Sequence, residues 1–211
     1  MKYFLLAAAT AVVMFTTACK NQNAAGTAKP MCDTVCMKDS LIFRDDASKL
    51  KPYIEISARN CKGDTLTWGF EGQNKNIPFN YRLNRDFAKC YLKDTTYGVL
   101  LFNTCENGRG YFYKFGFGKK ASFTKSSSAI NAFDPRFVVA DSLLAYTDSG
   151  NLFVEKIGSP GQAMMTFGQQ LQFDFDAIHE TLDSVNISST RIWAKAKVNG
   201  DWKTFEKAIS L

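Results

Sequence analysis

Short alternating or wholly apolar runs separated by turn residues predict a mainly β chain. Its antiparallel hairpins are expected to form a sandwich-like or partial propeller-like domain with at most one short helix. Three observations carry this. Phenylalanine is abundant, 18 of 211 residues, and it clusters with β-branched and aromatic neighbours that suit a pleated surface. Asn, Asp and Gly pairs interrupt those clusters at hairpin spacing. No long segment carries apolar residues at helical spacing.

The hairpins follow in chain order. Tyr53, Ile54, Glu55, Ile56 and Ser57 alternate at period two, Lys62-Gly63-Asp64 reads as the turn, and Thr65 to Trp68 resumes the strand. Residues 98–102 lead through Glu106-Asn107-Gly108 to residues 110–115, and residues 143–146 lead through Asp148-Ser149-Gly150-Asn151 to residues 152–154. The last hairpin runs from Arg191 to Phe205 and turns at Asn199-Gly200, a pair suited to a type I′ turn because both residues tolerate positive φ. Between these lies one segment of mixed period. Leu171, Phe173 and Phe175 alternate like a strand, whereas Phe175, Ile178, Leu182 and Val185 have helical spacing, so a short helix is expected near 176–186. Ser126-Ser127-Ser128, ahead of Asp134-Pro135, reads as loop. Asp39-Ser40-Leu41-Ile42-Phe43 echoes Asp141-Ser142-Leu143-Leu144-Ala145, as repeated sheet units would.

The N-terminus has a different texture. Lys2 precedes an apolar run from residue 4 to 15, too short for a comfortable membrane span, and Ala18-Cys19 closes it ahead of a polar stretch rich in Asn, Ala, Gly and Thr. This arrangement resembles the signal peptide and lipobox of a bacterial lipoprotein, in a looser form like that of Bacteroidota, with Thr16 where Leu is usual. The resemblance implies cleavage after residue 18 and acylation of Cys19 by diacylglyceryl and palmitate. Its bilayer partner is then held firmly, each buried methylene contributing about 0.8 kcal/mol. It also implies a cell-envelope location. Lys20 replaces the Asp that retains such proteins in the inner membrane, and no acidic surface-export run follows, so the expectation is the outer membrane with periplasmic exposure. The organisation is then a signal peptide at 1–18, lipidated Cys19 and a flexible tether through residue 30, and one β-rich domain at 31–211.

Without the leader, 25 basic groups face 20 acidic ones, a weak and scattered excess that reads as a mixed solvated surface. Five further cysteines, Cys32, Cys36, Cys61, Cys90 and Cys105, enter an oxidising compartment. Cys90 and Cys105 flank residues 94–98 almost symmetrically and form the first expected disulfide. Cys61 is then expected to pair with Cys36 or Cys32, each bridge contributing about 3 kcal/mol.

Chemistry-bearing motifs are sparse. Cys32 and Cys36 lack the paired spacing of a zinc site, His179 is the sole histidine, and no cofactor motif is present. The stretch from Arg109 to Phe115 superficially matches an RNA-binding motif but has Phe112 where a small residue is required, and residues 116–120 lack the spacing of a phosphate loop, so no nucleic-acid partner is expected. Catalytic, cofactor and metal residues are therefore expected to be none. The expected function is non-catalytic: an anchored lipoprotein presenting a binding or structural domain to an envelope protein or glycan. Trp68, Trp193 and Trp202, with Tyr111 and Tyr113, are the residues that would stack on a glycan. The alternative from another class is a hydrolase in which two of Asp174, Asp176 and Glu180 converge in a cleft.

Overall fold

The structure, a computed structural model, describes residues 37–93, 96–118 and 122–211. The expected leader, Cys19, the tether, Cys32 and Cys36 lie outside the described residues.

Among the described residues, fifteen strands form four sheets. The first is a meander of β1 (Leu41–Arg44), β2 (Tyr53–Arg59), β3 (Lys62–Phe70) and β4 (Gln73–Pro78). The second is a meander of β5 (Ala88–Lys93), β6 (Tyr97–Asn103), β7 (Gly110–Gly116) and β8 (Phe123–Ser126). β9 (Phe137–Val139) precedes the third sheet, which comprises β10 (Leu143–Asp148), β11 (Asn151–Lys156) and β12 (Gln162–Met165). The fourth contains β13 (Leu182–Ile187), β14 (Arg191–Val198) and β15 (Asp201–Ala208), with β9 pairing parallel to β13. A parallel pair needs a long crossover. Here the crossover contains the whole third sheet.

Three apolar layers join the sheets in sequence. Ile54, Ile56, Leu66 and Trp68 of the first sheet pack with Leu100, Phe102, Tyr113 and Phe115 of the second. Val99, Leu101 and Phe112, on the other face of the second sheet, meet Leu144 of the third. Leu143, Ala145, Leu152 and Val154 then pack against Leu182, Ile192, Ala194 and Ala196 of the fourth. The mainly β, antiparallel expectation holds, and the sheets form an open stack rather than a closed barrel. The echoed segments around Leu41 and Leu143 open the first and third sheets as edge strands.

Turn chemistry accounts for the hairpins, with one correction. Asn199 and Gly200 take φ of 56° and 88°, and Ser149 and Gly150 take 47° and 76°, as primed turns require. The first hairpin turns at Asn60-Cys61, with φ of 49° and 64°, and not at Lys62-Gly63-Asp64, which lies within β3. Gly63 serves packing instead, because a Cβ there would stand 2.4 Å from the Phe79 ring.

The expected helix at 176–186 is replaced by a single 3₁₀ turn at Ile178–Glu180 followed by β13. A bulge between Leu182 and Ser184 shifts the register, so Leu182 and Val185 both point inward three residues apart. That spacing imitates a helix in sequence.

The Cys90–Cys105 disulfide is also corrected. β5 and β6 pair Cys90 with Leu100 and Ala88 with Phe102, which leaves Cys105 beyond the end of β6. Cys90 is a free thiol against the first apolar layer, and burial pushes its pKa up. Cys61 and Cys105 are not free thiols.

Candidate functional site

The aromatic residues singled out from the sequence do not converge. Trp68 is buried, its ring stacked on Phe123 at 5.4 Å, with its indole N–H donating to the Gly116 carbonyl at 3.3 Å. Tyr113 is buried, and Tyr111 stacks on Phe102 at 5.0 Å. Trp193 and Trp202 share the outer face of the fourth sheet but are not neighbours: Trp193 pairs with Glu206 and Trp202 with Lys197. Trp202, 43% exposed, is the most exposed of these five rings, and the ammonium groups of Lys195 and Lys197 approach it at 5.7 and 5.9 Å.

Two of the acidic trio serve structural contacts. Asp174 accepts the backbone N–H of Asp176 at 2.9 Å. Asp176 accepts from Asn107 at 2.6 Å and from Arg109 at 3.4 Å. Glu180 sits in the 3₁₀ turn beside His179, whose Nε2 donates to Asp134 at 2.6 Å while its ring packs on Phe137. A carboxylate pair sharing a proton or flanking a bond requires two free acids facing one space. Of the three, Asp174 and Asp176 are engaged in these contacts.

The most site-like geometry lies between the second and third sheets, at residues the sequence reading passed over. Tyr97, Val99 and Lys114 face Leu144 and Glu155 across a cleft of about 380 Å³, closed on one side by the turn at residues 157–160. Strand register explains the placement. Val99 opposes Lys114 on one sheet and Leu144 opposes Glu155 on the other, so each charge shares a face with an apolar partner.

Lys114 and Glu155 form an ion pair, each side chain no more than 35% exposed. The Tyr146 hydroxyl donates to the second Glu155 oxygen at 2.6 Å, and Gln162 donates to the Tyr146 oxygen at 3.0 Å. Tyr146 is itself gripped by Phe112 and Phe153, with ring centroids at 5.2 and 5.5 Å. Burial, then the Glu155 hydrogen bond, raises the Tyr146 pKa; burial, then the Glu155 charge, raises that of Tyr97. Both phenols therefore remain donors at neutral pH.

Desolvated ion pairs contribute little net stability, because lost hydration offsets attraction. Their strength is positional: fixed donors and acceptors over an apolar floor can orient a small polar ligand. The signal was present in the sequence, as a lysine inside the aromatic run from Tyr111 to Phe115 and a glutamate ending Leu152-Phe153-Val154. It could be interpreted only once both strands were known to be covered on both faces. Among the described residues, no group of three or more His, Cys, Asp or Glu is arranged to hold a metal ion. No helix of the described residues is long and apolar enough to cross a membrane. Searches of protein-family models, curated proteins and solved structures return no match for the chain.

Proposed function

We propose that the protein is a lipid-anchored, non-catalytic binding module of the cell envelope. Acylated Cys19 tethers it to the outer membrane facing the periplasm, and the β stack takes a small polar ligand in the cleft between the second and third sheets. The observation that carries this is the Lys114–Glu155 pair held by Tyr146 at the cleft, a preorganised donor and acceptor set supported by rigid strands. The engagement of His179 by Asp134 and of Asp176 by Arg109 favours binding over hydrolysis, since both groups already serve the fold.

A second reading rests on Trp202. A solvent-facing indole between two lysines suits stacking by an acidic glycan. One titration separates the two. Soluble envelope glycans and their fragments are added to the protein, to Lys114→Met and to Trp202→Ala, and binding is measured by calorimetry. The cleft reading expects Lys114→Met to weaken binding about tenfold or more, with Trp202→Ala near wild type. The reverse pattern defeats it in favour of stacking. Intact mass of the mature N-terminus checks the anchor, and an unmodified Cys19 in membrane-bound protein removes it.

A further inference from the structure

The face of the second sheet that forms the cleft continues into a separate, more apolar cavity of about 250 Å³. Tyr91 and Leu101 form one wall; Ile130 and Phe133, from the chain between β8 and β9, and Leu143 and Ala145 of β10 form the other. We propose that this cavity binds a small anionic amphiphile, a carboxylate on an apolar body of about ten non-hydrogen atoms, with Lys89 taking the head group.

The cavity is built. Asn131, 3% exposed, donates through its side-chain amide to the Phe102 and Tyr111 carbonyls at 3.1 and 3.2 Å and to Asn103 at 2.8 Å, which fixes the wall segment against the second sheet. Phe133 is braced edge-on by Phe87 at 6.2 Å. The volume exceeds the space that accepts benzene in an apolar core, and scaling by atoms gives the size stated above.

Charge at the rim selects the head group. Lys89 and Asp141 both line the cavity and meet at 2.7 Å. The Lys89 ammonium lies 5.4 Å over the Tyr91 ring and its side chain is 43% exposed, whereas that of Asp141 is 88% exposed. Such exposed ion pairs contribute little, so a ligand carboxylate displaces Asp141 into water at small cost while its apolar body fills the cavity. A cationic head would instead meet the like charge of the Lys89 ammonium, with only the 88% exposed Asp141 to pair with it.

The test is titration of the full-length protein with sodium octanoate, with octanol and octylamine as comparators, followed by saturation-transfer NMR and calorimetry. Octanoate is expected to bind saturably and about tenfold tighter than octanol, and Lys89→Met is expected to erase that preference. Ala132→Trp, at an exposed wall position, is expected to weaken binding of octanoate and octanol alike with the thermal midpoint unchanged. The proposal is overturned by any of four results: no saturable octanoate binding, equal affinity for octanol, a preference for octylamine, or a preference for octanoate that survives Lys89→Met.

Discussion

The outer and inner sheets of the stack are built from the same kind of hairpin but carry different residue patterns. In β2 of the first sheet, Ile54 and Ile56 are fully buried while Tyr53, Glu55 and Ser57 between them face outward. β14 of the fourth sheet repeats the pattern, with Ile192, Ala194, Ala196 and Val198 inward and Trp193, Lys195 and Lys197 on the wet face. The inner strand β6 is buried at every residue from Gly98 to Asn103, because Leu100 and Phe102 serve one layer and Val99 and Leu101 the other. The continuous buried run of β6 thus sets it apart from the alternating strands β2 and β14, while β11 of the inner third sheet alternates as the outer strands do. Lys114 and Glu155 stand out because they break the inner pattern, and the cleft follows from that break.

This contrast is most directly tested at adjacent positions of one inner strand. Phe102→Ala is expected to cost about 3–5 kcal/mol and Leu101→Ala, pointing the opposite way, about 2–5 kcal/mol, measured by urea unfolding. A near-neutral Leu101→Ala would mean that the second sheet is covered on one face only. On outer strand β2 the effect should alternate instead. Ile56→Ala is expected to lose about 2–5 kcal/mol, whereas Glu55→Ala should stay within about 0.5 kcal/mol. Comparable losses at both would erase the distinction between outer and inner sheets.

The smallest effect concerns acid on the wet side of the fourth sheet. The Ser184 hydroxyl donates to Asp183, with Lys195 and Arg136 nearby, and these hold its carboxyl below the ordinary value of 3.8. A depressed carboxyl contributes stability that is complete above its unfolded pKa and is lost as pH falls through the folded value. A slight fall in the thermal midpoint below about pH 4 is therefore expected, and Asp183→Asn should flatten it. An identical acid profile in that variant would assign the effect to other groups.

Much of the fold could be read from local chemistry. Asn199-Gly200 and Ser149-Gly150 mark turns because their backbones accept positive φ, and strands flank both, β10, β11 and β15 running longer than the alternating segments suggest. The first turn was misplaced by two residues because Gly63 looks like a turn glycine, while its role, making room for Phe79, depends on a residue sixteen positions away. The helix expected near Leu182 failed for a related reason, since a bulge is a property of two paired strands. Cys90 and Cys105 are nearly symmetric about a turn, yet register sets cross-strand neighbours, and it gives Cys90 to Leu100.

The candidate site was less legible. Stacking depends on exposure, which is a tertiary quantity: Trp68 is buried, Trp193 half-buried and Trp202, on an edge strand, exposed. The cleft and the cavity were not seen at all, because each gathers side chains from two sheets and a connecting segment.

The amino-acid sequence by itself determined the strand-rich architecture, most turns and the period of the strands, because these depend on backbone preference and period within a few residues. Tertiary structure alone decided which sheets are neighbours, where Lys114 meets Glu155 and where Lys89 meets Asp141. Those meetings span 41 and 52 positions of chain. Over such distances, proximity is set by how entire sheets stack to bury their faces, and no local preference encodes it.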